Sequence, residues 1–176
     1  MIIVETQPPG AMHIPPDEGE TLWFVGDLIT LKMVGEDTAG AFALAEEITP
    51  PQGGPPPHMH TREDEAFLVL EGELEFVVGG RTITASAGSV VYGPRGIAHT
   101  FRNVGPTPSR MVVLIMPAGF EKMVEEVGEP VIDPSYPPEG PPDIERLVAV
   151  QRTYGIEMPP PSGTIRRFPR NWLLDE

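Results

Sequence analysis

The stretch Gly53-Gly54-Pro55-Pro56-Pro57-His58-Met59-His60-Thr61-Arg62-Glu63-Asp64-Glu65-Ala66-Phe67-Leu68-Val69-Leu70-Glu71-Gly72 decides how the chain is read. Its run of prolines makes a stiff, non-helical approach that delivers the backbone to His58. Along a strand, side chains at i and i+2 share a face, so His58 and His60 point the same way, toward the interior of a sandwich or barrel. Glu65 stands five residues past His60, the wrong parity for a straight strand. The polar segment Thr61-Arg62-Glu63-Asp64 must therefore contain a turn or bulge that re-aims the chain. Beyond it, Glu65, Phe67 and Val69 share one face, and Ala66, Leu68 and Leu70 the other. A carboxylate on an apolar inner face costs several kcal/mol unless it is paired or coordinates a metal, which favours Glu65 over Glu63 or Asp64 as the functional acid. The second apolar face needs cover from another sheet, the tail or a second subunit.

Working outward, Glu71-Gly72-Glu73 turns the chain into Leu74–Val78, and Gly79-Gly80 is a two-residue hairpin signal leading to Arg81–Ala85. Ser89–Tyr92 is the next strand, and the turn Gly93-Pro94-Arg95-Gly96 precedes His99, whose strand carries Phe101 on the same face and Asn103 at its end. Arg110–Met116 is a further buried strand, stopped by Pro117. Upstream, Leu22–Val25, Asp27–Val34 and Ala41–Thr49 alternate as strands between Gly26 and Gly35-Glu36-Asp37. Phe120, Met123, Val124 and Val127 are spaced for one side of a helix, and Asp143 can cap a second over Ile144–Tyr154, with Ile144, Leu147, Val148 and Gln151 as its stripe. The expected organisation is an extended arm over 1–20, an antiparallel β-barrel over 21–127, and a proline-rich extension with one helix over 128–176, whose end carries Arg166, Arg167, Phe168, Arg170 and Trp172.

His58, His60 and His99 are three of the four histidines; the fourth, His13, lies near prolines and reads as a surface residue. With no cysteine in the chain, a metal must be held by nitrogen and oxygen. Three imidazoles and the Glu65 carboxylate suit a divalent transition metal among Zn, Fe, Mn, Co, Ni and Cu, and leave at least one position of a five- or six-coordinate ion open to water, substrate or dioxygen. Phe67, Phe76 and Phe101 have the parity to face inward with these ligands, and Phe42, Tyr92 and Met111 join them as candidates for substrate contact. No Lys or Arg clearly projects into the barrel, which disfavours strongly anionic substrates. A formal net charge of −14 excludes nucleic acid as a natural partner. The N-terminal residues lack a basic and apolar leader pattern and no apolar run is long enough to span a membrane, so the expectation is a cytoplasmic protein without a membrane partner.

These residues resemble the cupins. The first cupin motif places two histidines one residue apart, a glutamate and a glycine, matched by His58, His60, Glu65 and Gly72; its leading glycine falls on Gln52, with Gly53 one place later. The second motif is matched throughout by Gly88, Pro94, Gly96, His99 and Asn103. The resemblance implies an all-β antiparallel jelly-roll barrel, commonly a homodimer, with one divalent metal held by His58, His60, Glu65 and His99. A looser likeness, in Trp23–Asp27, the Pro55–His58 approach, Pro117–Phe120 and Tyr154–Glu157, is to single-domain cupins described as quercetin 2,3-dioxygenase-like. That likeness implies a dioxygenase acting on a flavonol or other enolisable aromatic, with Glu65 as the catalytic base. A non-enzymatic small-ligand-binding module, or an isomerase or epimerase, is the competing expectation, since this fold hosts all three.

Overall fold

The computed structural model describes residues 10–134, 138 and 143–158; the first nine residues and the tail with Arg166, Arg167, Phe168, Arg170 and Trp172 lie outside the described residues. Twelve strands and two helices are formed among them: β1 (Glu20–Phe24), β2 (Asp27–Met33), β3 (Ala43–Thr49), β4 (Met59–His60), β5 (Asp64–Glu71), β6 (Glu73–Val78), β7 (Arg81–Ser86), β8 (Val90–Gly93), β9 (His99–Asn103), β10 (Ser109–Met116), α1 (Glu121–Val127), β11 (Glu129–Pro130), α2 (Ile144–Gln151) and β12 (Ile156–Glu157). A seven-stranded sheet in the order β11-β1-β2-β3-β10-β5-β8 packs with a three-stranded sheet, β7-β6-β9, and a small sheet pairs β12 with β4. Every pairing is antiparallel. This is the expected all-β jelly roll.

The core follows from strand alternation. In β3 the residues Ala43, Ala45, Glu47 and Thr49 are buried while their neighbours are not, and in β5 the buried set is Glu65, Phe67 and Val69. Of these, Ala43, Phe67 and Val69 join Leu74, Phe76, Phe101, Met111, Val113 and Ile115 in the main cluster, and Leu22, Ile29, Leu31, Ala45 and Val124 form a second beneath α1. Glu121, 1% exposed, accepts hydrogen bonds from Gly35 N and Gly119 N, so its burial is satisfied by backbone donors and fixes α1 to the β2–β3 turn.

The expected re-aiming between His60 and Glu65 is made by a bend, Thr61-Arg62-Glu63, between two separate strands. Two local features depart from the sequence reading. In α2, Val148 is 50% exposed, whereas Gln151 is buried and Leu147 and Val150 are half-buried, so the inward side is rotated away from Val148. The extension also adds strands: β12 pairs Ile156 with His60, and Thr61 donates from both its amide and its hydroxyl to the Gly155 carbonyl. The segment noted for its likeness at Tyr154–Glu157 therefore clasps the strand that carries His60.

Candidate metal centre

The proline approach is strapped along β9. Gln52 N donates to Asn103 O, Asn103 N to Gly53 O, and the Thr100 hydroxyl to Pro55 O at 2.6 Å. The Asn103 amide donates to Thr49 O and Thr107 O and accepts from Gly105 N, which explains why an asparagine ends this strand. Gln52, standing where the motif has glycine, has φ +66°, so the left-handed turn is kept without the glycine. Gly54 has φ +131°, and a Cβ there would run into the Phe101 carbonyl oxygen. His58 then exchanges two backbone hydrogen bonds with His99, and Gly96 N donates to His60 O, setting the three histidines side by side.

His58, His60, Glu65 and His99 each offer one ligand atom, all within 4.8 Å of one another. His60, Glu65 and His99 are buried and His58 is partly buried. Glu65 Oε2 lies 2.8 Å from His99 Nε2 and 3.2 Å from His60 Nε2, yet none of these three atoms is satisfied by a well-formed hydrogen bond. Buried polar atoms are rarely left so, and lone pairs converging on one point are what a coordinated cation requires. Two outer nitrogens are hydrogen-bonded from behind, His58 Nδ1 2.9 Å from Pro56 O and His99 Nδ1 3.3 Å from Ile97 O, while His60 Nδ1 faces Glu63 Oε2 at 3.5 Å, an ion-pair contact without a formed hydrogen bond. Contacts of this kind leave Nε2 of each ring facing inward as the ligand atom. Burial, with His99 and His60 alongside, pushes His58 down to about 3. Burial opposes the Glu65 charge, but His60, His99 and His58 outweigh it and hold this carboxyl at about 2. His60 is raised, the pull of Glu65 and Glu63 overcoming burial. His13 is exposed and far from this constellation in sequence.

A cavity of about 60 Å³ opens on the cluster, lined by His58 and Glu65 and by Phe67, Phe101, Phe120 and Ile29 among others, with no Lys or Arg in its wall. Of the residues expected to touch substrate, Phe67 and Phe101 border this cavity. Phe76 and Met111 do not; both are packed behind it in the core, at 0% and 1% exposure. Phe42 precedes β3 on the face opposite the inward Ala43 and Ala45 and is half-buried. Tyr92 is a correction: Val91 and Gly93 are the inward residues of β8, and Tyr92 is 53% exposed beside the Asp64–Arg95 ion pair. Around this site sequence reasoning missed three buried carboxyls, Glu63 behind His60 and the pair Asp27 and Glu47 on the cavity wall. Asp27 shares its inward parity with Ile29 and Leu31, a signal that was legible. Glu47 sits beside Glu46, and alternation alone does not say which of the two faces in.

An antiparallel double-sheet barrel with three histidines and a glutamate converging inside it defines the class. The cupin-domain family matches residues 45–115, so this stretch of the chain, which carries all four residues of the cluster, is a cupin domain. It is 36% identical over 86 residues to germin-like protein 5-1 of Oryza sativa subsp. japonica, covering 46% of this chain and 38% of that one. The chain thus spans well under two thirds of the curated relatives it matches. Among solved structures, a protein described as a predicted oxalate decarboxylase from Thermotoga maritima superimposes with a TM-score of 0.57 at 21% identity, covering 60% of this chain and 99% of that one. KdgF from Halomonas sp. gives 0.57 at 17%, covering 64% and 99%. These two likenesses concern the fold. Among the described residues no helix is long and apolar enough to cross a membrane.

Proposed function

We propose that His58, His60 and His99, each through Nε2, and Glu65 hold one divalent transition metal, and that the chain is a metal-dependent oxygenase for a small, uncharged, enolisable aromatic. The observation that carries this reading is the convergence of unsatisfied buried ligand atoms on an apolar cavity free of Lys and Arg. A metal in this set would supply Lewis acidity and an open coordination position. The protein's own part is to exclude water, stack the ring against Phe67, Phe101 and Phe120, and border the incoming hydroxyl with the Glu65 carboxylate, the first candidate to accept its proton. The enclosed space is small against the roughly 300–1,000 Å³ of typical ligand sites, which favours single-ring members of the class over a whole flavonol.

Oxygen uptake tests the reading. Protein loaded in turn with Fe, Mn, Co, Ni, Cu and Zn is offered a panel of catechols, hydroxypyrones and quercetin in an oxygen electrode. Substrate-dependent uptake with at least one redox-active metal is expected. Ligand binding without uptake throughout would replace this reading with that of a non-enzymatic binding module, or with an isomerase if product appears without oxygen. We also infer a homodimer formed through the outer face of β5 and β8, where Leu68, Val90 and Tyr92 are exposed at 39%, 67% and 53% on the sheet's edge.

A further inference from the structure

Asp27 opens β2 and Glu47 lies in β3, both with side chains facing inward on the cavity that borders His58 and Glu65. Asp27 is 2% exposed and Glu47 9%. Two carboxyls so deeply buried cannot both carry charge without a cation, and no Lys or Arg lines this cavity. They share a hydrogen bond in which protonated Glu47 donates to Asp27, and the Thr49 side chain faces Asp27 from the same strand as Glu47. The second Asp27 oxygen, Oδ1, is buried without a well-formed hydrogen bond, as is the hydroxyl of the neighbouring Thr49. An acceptor left in this state carries a desolvation cost that an arriving donor removes. The remaining wall is apolar: Ile29, Leu31, Ala45, Val113, Ile115 and Val124.

We propose that Asp27 and Glu47 form an acid–carboxylate pair that receives a hydroxyl of an uncharged apolar ligand at Asp27 Oδ1 and bars carboxylate ligands from the cavity. The inference rests on the proposed metal-dependent reading for the ligand's other end, which reaches the cluster. It adds what that reading leaves open: the ligand needs a hydrogen-bond donor, a phenol or enol O–H, distal to the oxygen nearest the cluster. A dicarboxylate such as oxalate would instead meet Asp27, Glu47 and Glu65 with no basic side chain to offset them.

Asp27, Glu47, Glu65 and His58 are the titratable groups bordering this cavity. Burial is the largest influence on both members of the pair: it raises Asp27 to about 7, against the lowering effect of Glu47 and Thr49, and raises Glu47 well above the ordinary carboxyl range, with Asp27 and Glu65 adding to it. With Glu47 protonated and Asp27 ionised, Oδ1 is the stronger acceptor.

The test is calorimetric, on the full chain loaded with redox-inert Zn and kept anaerobic. Hydroquinone, 4-methoxyphenol and oxalate are titrated into the wild type and into Asp27→Asn and Glu47→Gln, with zinc content measured in each. Wild type is expected to bind hydroquinone at least tenfold more tightly than 4-methoxyphenol and to bind oxalate undetectably. Asp27→Asn should lose most of that tenfold preference at unchanged zinc content, a coupling that a merely structural role would not produce. Equal preference in wild type and Asp27→Asn, failure of wild type to bind hydroquinone, or oxalate binding tighter than hydroquinone would each overturn the proposal while leaving a zinc-bound cluster standing. Failure of wild type to take up zinc would instead count against the metal-dependent reading. Should Asp27→Asn not fold, Glu47→Gln, which keeps the donor to Asp27, must retain the preference, and its loss there would contradict the assigned direction of the shared hydrogen bond.

Discussion

Glu63 and Glu65 are buried to almost the same degree, 3% and 4% exposed, so the cost of burying a carboxylate does not by itself distinguish them. What separates them is parity: Glu65 lies on the inward face with Phe67 and Val69, whereas Glu63 sits in the break before β5 and reaches His60 Nδ1 from behind. Replacing Glu63 by Gln should therefore weaken metal binding about tenfold without abolishing it, read by competition with a chromophoric chelator. Equal affinity would mean that the contact does not orient the ring. Asp27 gives a stability prediction with a defined sign. Its folded value of about 7 lies above the model-compound value of 3.8, so the folded state binds the extra proton between those limits. Stability on this account falls as pH rises through that window, by an amount on the order of 4 kcal/mol at most. Asp27→Asn should melt with wild type near pH 4 and above it at pH 8; a lower melting temperature at pH 8 would contradict the burial of an uncompensated carboxylate. The four-residue cluster was legible because the His58–His60 spacing, the inward parity of Glu65 with Phe67 and Val69, and the chemistry of the four residues agree. Asp27 was passed over because a single acid at a strand's start also fits an ordinary turn.

The strands were legible where runs of five or more apolar and β-branched residues lie between Gly or Pro turn signals, as in β2, β3, β5 and β10. The two-residue strands β4 and β12 carry no period, and their pairing depends on contacts made some 94 positions apart, as from Thr61 to Gly155. The helix α2 was placed, but its stripe was misassigned at Val148 because a short helix offers too few turns to fix its rotation. The approach loop gives the sharpest prediction for an element. Gly54→Ala adds a Cβ where the Phe101 carbonyl already sits, at a φ that L side chains rarely adopt. It should lower the urea midpoint by the equivalent of at least about 2 kcal/mol and displace His58, weakening metal binding in parallel. Unchanged metal affinity in a destabilised variant would separate the loop's stabilising role from its positioning role.

For the molecule as a whole, a chain of formal net charge −14 encloses an apolar cavity whose bordering titratable groups are acidic or histidine. That combination agrees with a small uncharged ligand and was partly legible from composition. The outer face of β5 and β8 was legible as needing cover, and it remains uncovered within one chain at Leu68, Val90 and Tyr92. Val90→Glu should shift the protein from dimer to monomer in sedimentation velocity with metal content intact, and a monomeric wild type would remove the dimer proposal. The central claim is that His58, His60, Glu65 and His99 hold a metal, and elemental analysis tests it most directly. Protein purified and reconstituted with each of the six candidate ions should carry one ion per chain for at least one of them, and His60→Ala and His99→Ala should each carry less than a tenth of that. Full metal content in both variants, or none in the wild type with any ion, would contradict it.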